Sequence, residues 1–166
     1  MKKIFLSLPM SGRTDEQIEN TIYKEMVPII IKSGIFEGTY VIKDKVYEGE
    51  YVFIDNFQVD AKEMAEMERQ AREAVTSNLV YLGEAIKKLA YVDAVVFAED
   101  FEEARGCMVE LYVAYKYDIP CYIIVTNDEG EKVVAKMENK RYLEIIGIDD
   151  GLSYGEIDFS PAVIYK

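Results

Sequence analysis

One carboxylate lies in an apolar stretch of the sequence, which is an unusual position for a charged residue. Glu110 is the only charged residue in the run GCMVELYVAY, residues 106–115. Burying a carboxylate is costly unless it is hydrogen-bonded, paired or used. A helix beginning near Arg105 or Gly106 brings Glu110 into its second turn, with small residues one turn earlier. Glu110 is therefore a candidate functional residue, with room for a ligand to approach its carboxylate. The alternative is that it faces solvent or pairs with Lys116 or Arg105.

The element before this helix predicts where Glu110 lies. Ala94 to Ala98 is a short apolar run with β-branched residues, typical of a buried strand. In a parallel α/β sheet, ligands bind just beyond the carboxyl ends of the strands. The predicted helix starts a few residues past that end, so we expect Glu110 beside the ligand-binding edge.

Composition excludes several kinds of chemistry. The chain has no histidine, so serine-histidine or cysteine-histidine nucleophiles and histidine-containing zinc sites are excluded. Cys107 and Cys121 do not form a CxxC pair and are predicted to be buried free thiols. We expect no metal and no cofactor. The formal net charge of −12 opposes binding of a nucleic acid polymer but is compatible with a nucleotide-sized ligand.

A second candidate binding element opens the chain. Ile4 to Leu8 is predicted as a strand, and a helix follows from a cap at Thr14 or Asp15 to about Lys32, ended by Gly34. The loop between them is suited to hold a sugar or a phosphate, although it matches no Walker or dinucleotide motif. Its candidate ligand-binding residues are Ser7, Pro9, Met10, Ser11, Gly12 and Arg13.

The remaining segments complete an α/β pattern. Residues 35–58 predict either a parallel strand followed by an excursion or a hairpin at the sheet edge. Within them, Asp55 and Asn56 either reach a pocket or form an ordinary turn. Further predicted elements are a charged helix with a methionine stripe from Asp60 to about Thr76, a helix from Leu79 to Tyr91 with Leu82, Ile86, Leu89 and Ala90 inward, a strand from Cys121 to Val125, and mostly helix over 131–146.

This alternation predicts one domain over residues 1–166. Its expected architecture is a three-layer α/β fold, with a parallel sheet flanked by helices. The apolar runs are too short to span a bilayer, and Met1 leads directly into a strand without a signal-peptide pattern. We therefore expect a cytoplasmic protein with no membrane partner.

Three stretches together resemble the nucleoside 2-deoxyribosyltransferase-like superfamily. They are IFLSLPMSGR (4–13), LGEAIKKLAYVDAVVFA (82–98) and ARGCMVELYVA (104–114), in which a G-x-x-x-E-x-x-x-A spacing places Glu110. The stretches FIDNF (53–57), YLG (81–83) and FAEDFEEARGC (97–107) are similar to a phage- and prophage-associated branch of that superfamily.

The resemblance implies a Rossmann- or flavodoxin-like fold and a nucleophilic Glu110. That carboxylate would attack the anomeric carbon of a deoxynucleoside or its monophosphate, expel the base, and pass the sugar to another base or to water. Arg105 and Gly106 would hold the substrate together with the first loop, and Asp93 joins the substrate-binding set. A homo-oligomer is implied because family sites borrow residues from a neighbouring subunit, for which Asn127 and the C-terminal tail near Tyr165 are the candidates.

Two positions depart from the family pattern. Ala85 stands where the family has an aspartate, and Glu84 is the nearest acidic residue and hence a second catalytic candidate. Ala104 stands where the family has Asp or Ser. These departures keep open a non-catalytic nucleotide-binding protein, for sequestering or sensing. A third alternative is an interaction protein that uses its acidic surface and methionine-bearing helix.

Overall fold

The computed structural model describes residues 2–36, 40–42, 45–47, 51–55 and 77–138. The strands in these ranges are β1 (Lys2–Ser7), β2 (Tyr40–Ile42), β3 (Lys45–Tyr47), β4 (Tyr51–Asp55), β5 (Ala94–Phe97), β6 (Cys121–Thr126) and β7 (Lys132–Lys136). The helices are α1 (Asp15–Asn20), a π-helical segment (Thr21–Met26), α2 (Val27–Ser33), α3 (Ser77–Leu89), a 3-10 turn (Phe101–Glu103) and α4 (Arg105–Lys116). The chain has the expected α/β class.

The strands form one open, mixed sheet in the order β3-β2-β4-β1-β5-β6-β7. β1 is parallel to both β4 and β5, and β6 is parallel to β5. β3 and β7 are antiparallel to their neighbours at the two edges, so the sheet is mixed, with the predicted parallel pairing confined to its five inner strands. Over residues 35–58 both predicted alternatives occur, because β4 is a parallel strand beside β1 and β2–β3 is an edge hairpin.

The β6–β7 hairpin also corrects the helix predicted over 131–146. Lys132–Lys136 is instead the strand β7, which pairs antiparallel with β6 through a short run rich in β-branched valine. The turn before it suits a hairpin: Gly130 has a φ of 79°, a conformation that glycine adopts without a steric penalty. Asn127 Oδ1 accepts hydrogen bonds from the backbone N–H groups of Glu129 and Glu131.

Two hydrophobic clusters lie on opposite faces of the sheet. Ile4 and Leu6 of β1 pack with the helical segment 15–33 in one cluster, together with Val96. Phe5 packs with α3 and α4 in the other, together with Val95. This alternation follows from the two-residue period of a strand. Helices therefore cover both faces, named here the 15–33 face and the α3–α4 face.

The chain changes direction across the sheet between β1 and β5. From β1 it passes to β2, β3 and β4 on one side, and β5, β6 and β7 lie on the other. A reversal of this kind leaves a crevice outside the carboxyl ends of the two central strands, where open α/β sheets bind ligands. The carboxyl end of β1 is Ser7, which is paired in register with Phe97 of β5.

The ends of the helical segment 15–33 follow from local sequence. Thr14 and Gln17 form a capping box, in which the Thr14 side chain accepts from the Gln17 N–H and the Gln17 side chain accepts from the Thr14 N–H. Gly34, with a φ of 63°, ends the segment. Both signals were predicted and are confirmed.

The inner face of α3 was predicted only in part. Leu89 is buried, and Leu82 and Ile86 are half-buried, but Ala90 is exposed and Ala85 takes the buried position. The prediction of Ala90 as an inward residue was wrong, because α3 ends at Leu89 and Ala90 lies in the turn that follows. None of the helices in the described ranges combines the length and hydropathy that crossing a bilayer requires. The predicted helix at 60–76, Asn56, residues 139–146 and the tail near Tyr165 lie outside those ranges.

Candidate functional site

Glu110 occupies a core position of α4. The buried residues of this helix are Cys107, Glu110, Leu111 and Ala114, at the spacing that forms one inward stripe of a helix. Three of the four are small or apolar, and the fourth is a carboxylate that is only 3% exposed. The alternative in which Glu110 faces solvent is therefore wrong. Lys116, one of the two bases considered as its partner, has its ammonium 5.5 Å from the ring centroid of Tyr112.

Ser7 is a hydrogen-bond partner of this carboxylate. Its Oγ donates to Glu110 Oε2 across 2.5 Å, and Ser7 itself is fully buried. A hydrogen bond to an ionised acceptor is shorter and stronger than one between neutral groups. The bond joins the last residue of β1 to the second turn of α4. Ser7 therefore supports Glu110, a role that the sequence did not assign to it.

Cys107 lies one turn before Glu110 and is excluded as a nucleophile. Burial raises the pKa of its thiol to about 12, and the negative charge of Glu110 acts in the same direction. Only a thiolate is an effective nucleophile, and at neutral pH this thiol is protonated. The group with nucleophilic chemistry at this position is the carboxylate.

The start of α4 provides backbone N–H groups close to the pair. Ala104 is the N-cap and makes no side-chain capping hydrogen bond. A Cβ added to Gly106 would come no closer than 4.0 Å to Leu82 Cδ1, so the neighbours within the described residues do not force glycine at this position. Arg105 is exposed. Positive helix-dipole ends and open N–H groups favour anionic ligands.

The first loop divides into buried and exposed parts. Pro9 is buried beside Ser7, Met10 is half-buried, and Ser11 and Gly12 are exposed at the turn, where Gly12 has a φ of 78°. Arg13 forms an ion pair with Asp100, which ties this loop to the loop after β5. Asp100 was not selected from the sequence, and its position directly beyond a buried strand is the signal that could have identified it.

Three other predicted site residues have hydrogen-bond or ion-pair partners of their own, and Asp93 lies at the opposite edge of the sheet from Ser7. Asp93 precedes β5 at the amino edge of the sheet, where its Oδ2 accepts from the Lys3 N–H across 2.6 Å. The strand between separates it from the carboxyl edge by roughly 13 Å. Asn127 closes the β6–β7 turn. Glu84 pairs with Lys87 one turn further along α3.

The structure therefore brings together fewer site residues than the sequence predicted. It brings together Ser7 and Glu110 directly, with Cys107 beside them and the start of α4 next in sequence. Asp55 ends β4, where it is paired in register with Leu6, one residue before Ser7. Its strand therefore finishes at the same edge of the sheet.

A cavity of about 510 Å³ lies near this edge, and Glu110 does not line it. Its floor includes Met26 and Ile124, which belong to the 15–33 face. Ser7 has the same strand parity as Phe5 and therefore points to the α3–α4 face. The cavity and the Ser7–Glu110 pair are thus on opposite sides of the sheet.

Together these features define an α/β protein with a buried, hydrogen-bonded carboxylate at the carboxyl edge of its central strands. Comparisons of the chain with protein-family models, curated proteins and solved structures found no match.

Proposed function

We propose that this protein cleaves the N-glycosidic bond of a nucleoside or nucleotide, or transfers its 2-deoxyribosyl group, with Glu110 as the nucleophile. The observation that carries the proposal is a carboxylate in a core position of α4, hydrogen-bonded to Ser7 at the carboxyl end of β1. The resemblance of the sequence to the nucleoside 2-deoxyribosyltransferase-like superfamily, with its Rossmann-like fold, supports the same function.

In the proposed reaction, one oxygen of Glu110 forms a bond to the anomeric carbon as the bond to the base breaks. The electron pair of the breaking bond leaves with the base, which takes up a proton from water. Ser7 Oγ holds the other carboxylate oxygen and so fixes the plane of the nucleophile. Water or a second base then attacks the anomeric carbon and releases Glu110 as a carboxylate. This is the two-step scheme of retaining glycosidases, with an oxocarbenium-like transition state.

Substrate contacts are proposed for the elements around this carboxylate. Gly106 and the open N–H groups at the start of α4 suit a 5′-phosphate, with the exposed Arg105 beside them. Ser11 and Gly12 lie at the exposed turn of the first loop, which begins at Ser7. A homo-oligomer that completes the site remains part of the proposal.

The decisive experiment uses chromatography to measure the release of the base from 2′-deoxynucleosides and from their 5′-monophosphates. We expect Glu110→Ala to lower turnover by at least about 10³-fold, because removal of a covalent nucleophile eliminates the first step. Glu102→Gln is the matched control, since Glu102 is an exposed acidic residue of the neighbouring 3-10 turn. Absence of base release by the wild type, or equal turnover in Glu110→Ala, would overturn the proposal.

A non-catalytic nucleotide-binding protein is the second candidate. Two residues of α3 favour it. Ala85 is 2% exposed and belongs to the core, and Glu84 is engaged with Lys87. Neither residue presents the acid that would protonate a departing base. This candidate predicts that calorimetry detects nucleotide binding without product, and that Glu110→Gln binds at least as tightly as the wild type.

A further inference from the structure

The cavity on the 15–33 face is a second feature of ligand size. Its volume of about 510 Å³ is within the roughly 300–1,000 Å³ range of small-molecule sites. One wall is the helical segment 15–33, and the other is formed by the residues after β5 together with the β6–β7 hairpin. The floor is apolar, with Met26, Ile29, Ala98 and Ile124, and the remaining lining side chains are polar or charged.

A π-helical segment forms the centre of the first wall. Thr21, Glu25 and Met26 line the cavity, and all three lie in the segment Thr21–Met26. The Val27 N–H donates to the Ile22 carbonyl, five residues earlier, which is the π-helical pattern. Short π-helical segments within α-helices occur frequently at functional sites. The irregular turn and the cavity coincide.

The charges at the cavity argue against an anionic ligand. Arg13 is paired with Asp100. Lys132 Nζ lies 3.6 Å from Glu99 Oε2 and 3.9 Å from Glu25 Oε2. Two cationic and three anionic side chains give the lining a formal charge of −1. A phosphate would have to displace these carboxylates, and a cation would have to compete with Arg13 and Lys132.

The remaining polar groups suit hydroxyls. Gln17 Oε1 accepts from the Thr14 N–H, which leaves its NH₂ group as a donor. Thr21 Oγ1 donates to the Gln17 carbonyl across 3.0 Å and keeps acceptor capacity. Asn20 carries both a donor and an acceptor, and the carboxylates accept. A hydroxyl is donor and acceptor at once, so several adjacent hydroxyls match this mixed lining.

We propose that this cavity binds an uncharged, hydroxyl-rich small molecule, separately from Glu110. The bound molecule is either a free sugar or an unphosphorylated nucleoside, whose sugar carries the hydroxyls. The ion pairs of Lys132 are partly exposed, and exposed pairs contribute little to stability, so the rim can rearrange as the molecule enters.

The test is to titrate the full chain with D-ribose, D-glucose and adenosine and to monitor binding through the amide chemical shifts in NMR spectra. D-ribose 5-phosphate is the charged comparison. We expect saturable shifts in segment 15–33 and in residues 98–100 with at least one uncharged probe, and weaker binding of the phosphate. Preference for adenosine identifies the nucleoside as the source, and equal or better binding of ribose or glucose identifies a free sugar.

Variants assign the site. Asn20→Ala and Glu25→Ala each remove hydrogen-bonding groups from the wall and should weaken binding about tenfold, as expected for one or two polar contacts. Glu16→Ala makes the same kind of change on α1 outside the cavity and should have no effect. Glu110→Ala should also leave this binding unchanged, which separates the outcome from that of the proposed function. The proposal would be overturned if no uncharged probe caused shifts up to about 50 mM. Tighter binding of the phosphate, or unaltered binding in both wall variants, would overturn it as well.

Discussion

The hydrogen bond between Ser7 and Glu110 makes a quantitative prediction about stability. Ser7 is fully buried and Glu110 is 3% exposed, so Ser7→Ala removes a donor from a carboxylate that has little access to water. A hydrogen bond to a charged group contributes about 1.5–3 kcal/mol, against about 0.5–1.5 kcal/mol between neutral groups. Ser7→Ala should therefore lower the free energy of unfolding by about 1.5–3 kcal/mol at pH 7.

A double-mutant cycle isolates the charged part of this bond. In a Glu110→Gln background the acceptor is neutral, and Ser7→Ala should then cost only about 0.5–1.5 kcal/mol. The coupling between the two positions is thus about 1–1.5 kcal/mol, within the range found for residues in direct contact. Urea unfolding followed by circular dichroism measures all four free energies.

Ser33 provides the matched control. Its Oγ donates to the Ile30 carbonyl across 2.6 Å in a partly buried position, so the acceptor is neutral and lies on α2. Ser33→Ala should cost the same amount in the wild-type and Glu110→Gln backgrounds. Equal costs for Ser7→Ala in both backgrounds, or a cost below about 0.5 kcal/mol, would refute the inference that Ser7 holds an ionised Glu110.

Three further predictions follow from single residues. Burial raises the pKa of Cys107 from 9.0 to about 12, so between these values the unfolded chain loses a proton that the folded chain retains. The free energy of unfolding should therefore fall as pH rises, by about 1.4 kcal/mol at pH 10. Cys107→Ala should lack this decrease, and an equal decrease in the wild type and the variant would contradict the prediction. Thr14→Ala removes a capping box and should cost about 1 kcal/mol in urea unfolding, whereas an unchanged midpoint would show that the cap adds nothing. Ala85→Asp introduces a carboxylate at a position 2% exposed and should lower the thermal midpoint far more than Ala90→Asp at an exposed site; similar midpoints would show that Ala85 is not a core position.

Local signals in the sequence predicted the elements that depend on neighbouring residues. The capping residue Thr14, the terminating Gly34 and the start of α4 at Arg105 were predicted within a residue, because each depends on contacts within one helical turn. The strand β7 was missed for a related reason. Its run KVVAK is short, and only the turn at Asn127 to Gly130 and pairing with β6 select a strand over a helix.

The site was predictable only where residue type conflicts with position. Glu110 could be singled out because a carboxylate in an apolar helical run violates the expected pattern. Its partner could not be identified, because Ser7 and Glu110 are separated by 103 positions in the chain and meet only when β1 and α4 are packed. The ion pair of Arg13 with Asp100 and the Lys132 pairs around the cavity are long-range in the same way.

The position of Glu110 argues for function on energetic grounds. Leucine at this point of the stripe Cys107–Leu111–Ala114 would contribute to the core without any desolvation cost, whereas a carboxylate requires a donor to make its burial tolerable. Replacing buried ionic or polar groups by apolar ones of similar volume is often neutral or stabilising. A chain that keeps a carboxylate here, and supplies it with a buried hydroxyl from the end of β1, keeps an arrangement that stability alone does not require. The same reasoning does not extend to exposed acidic residues of the described ranges such as Glu102 and Glu129, whose carboxylates stay in contact with water.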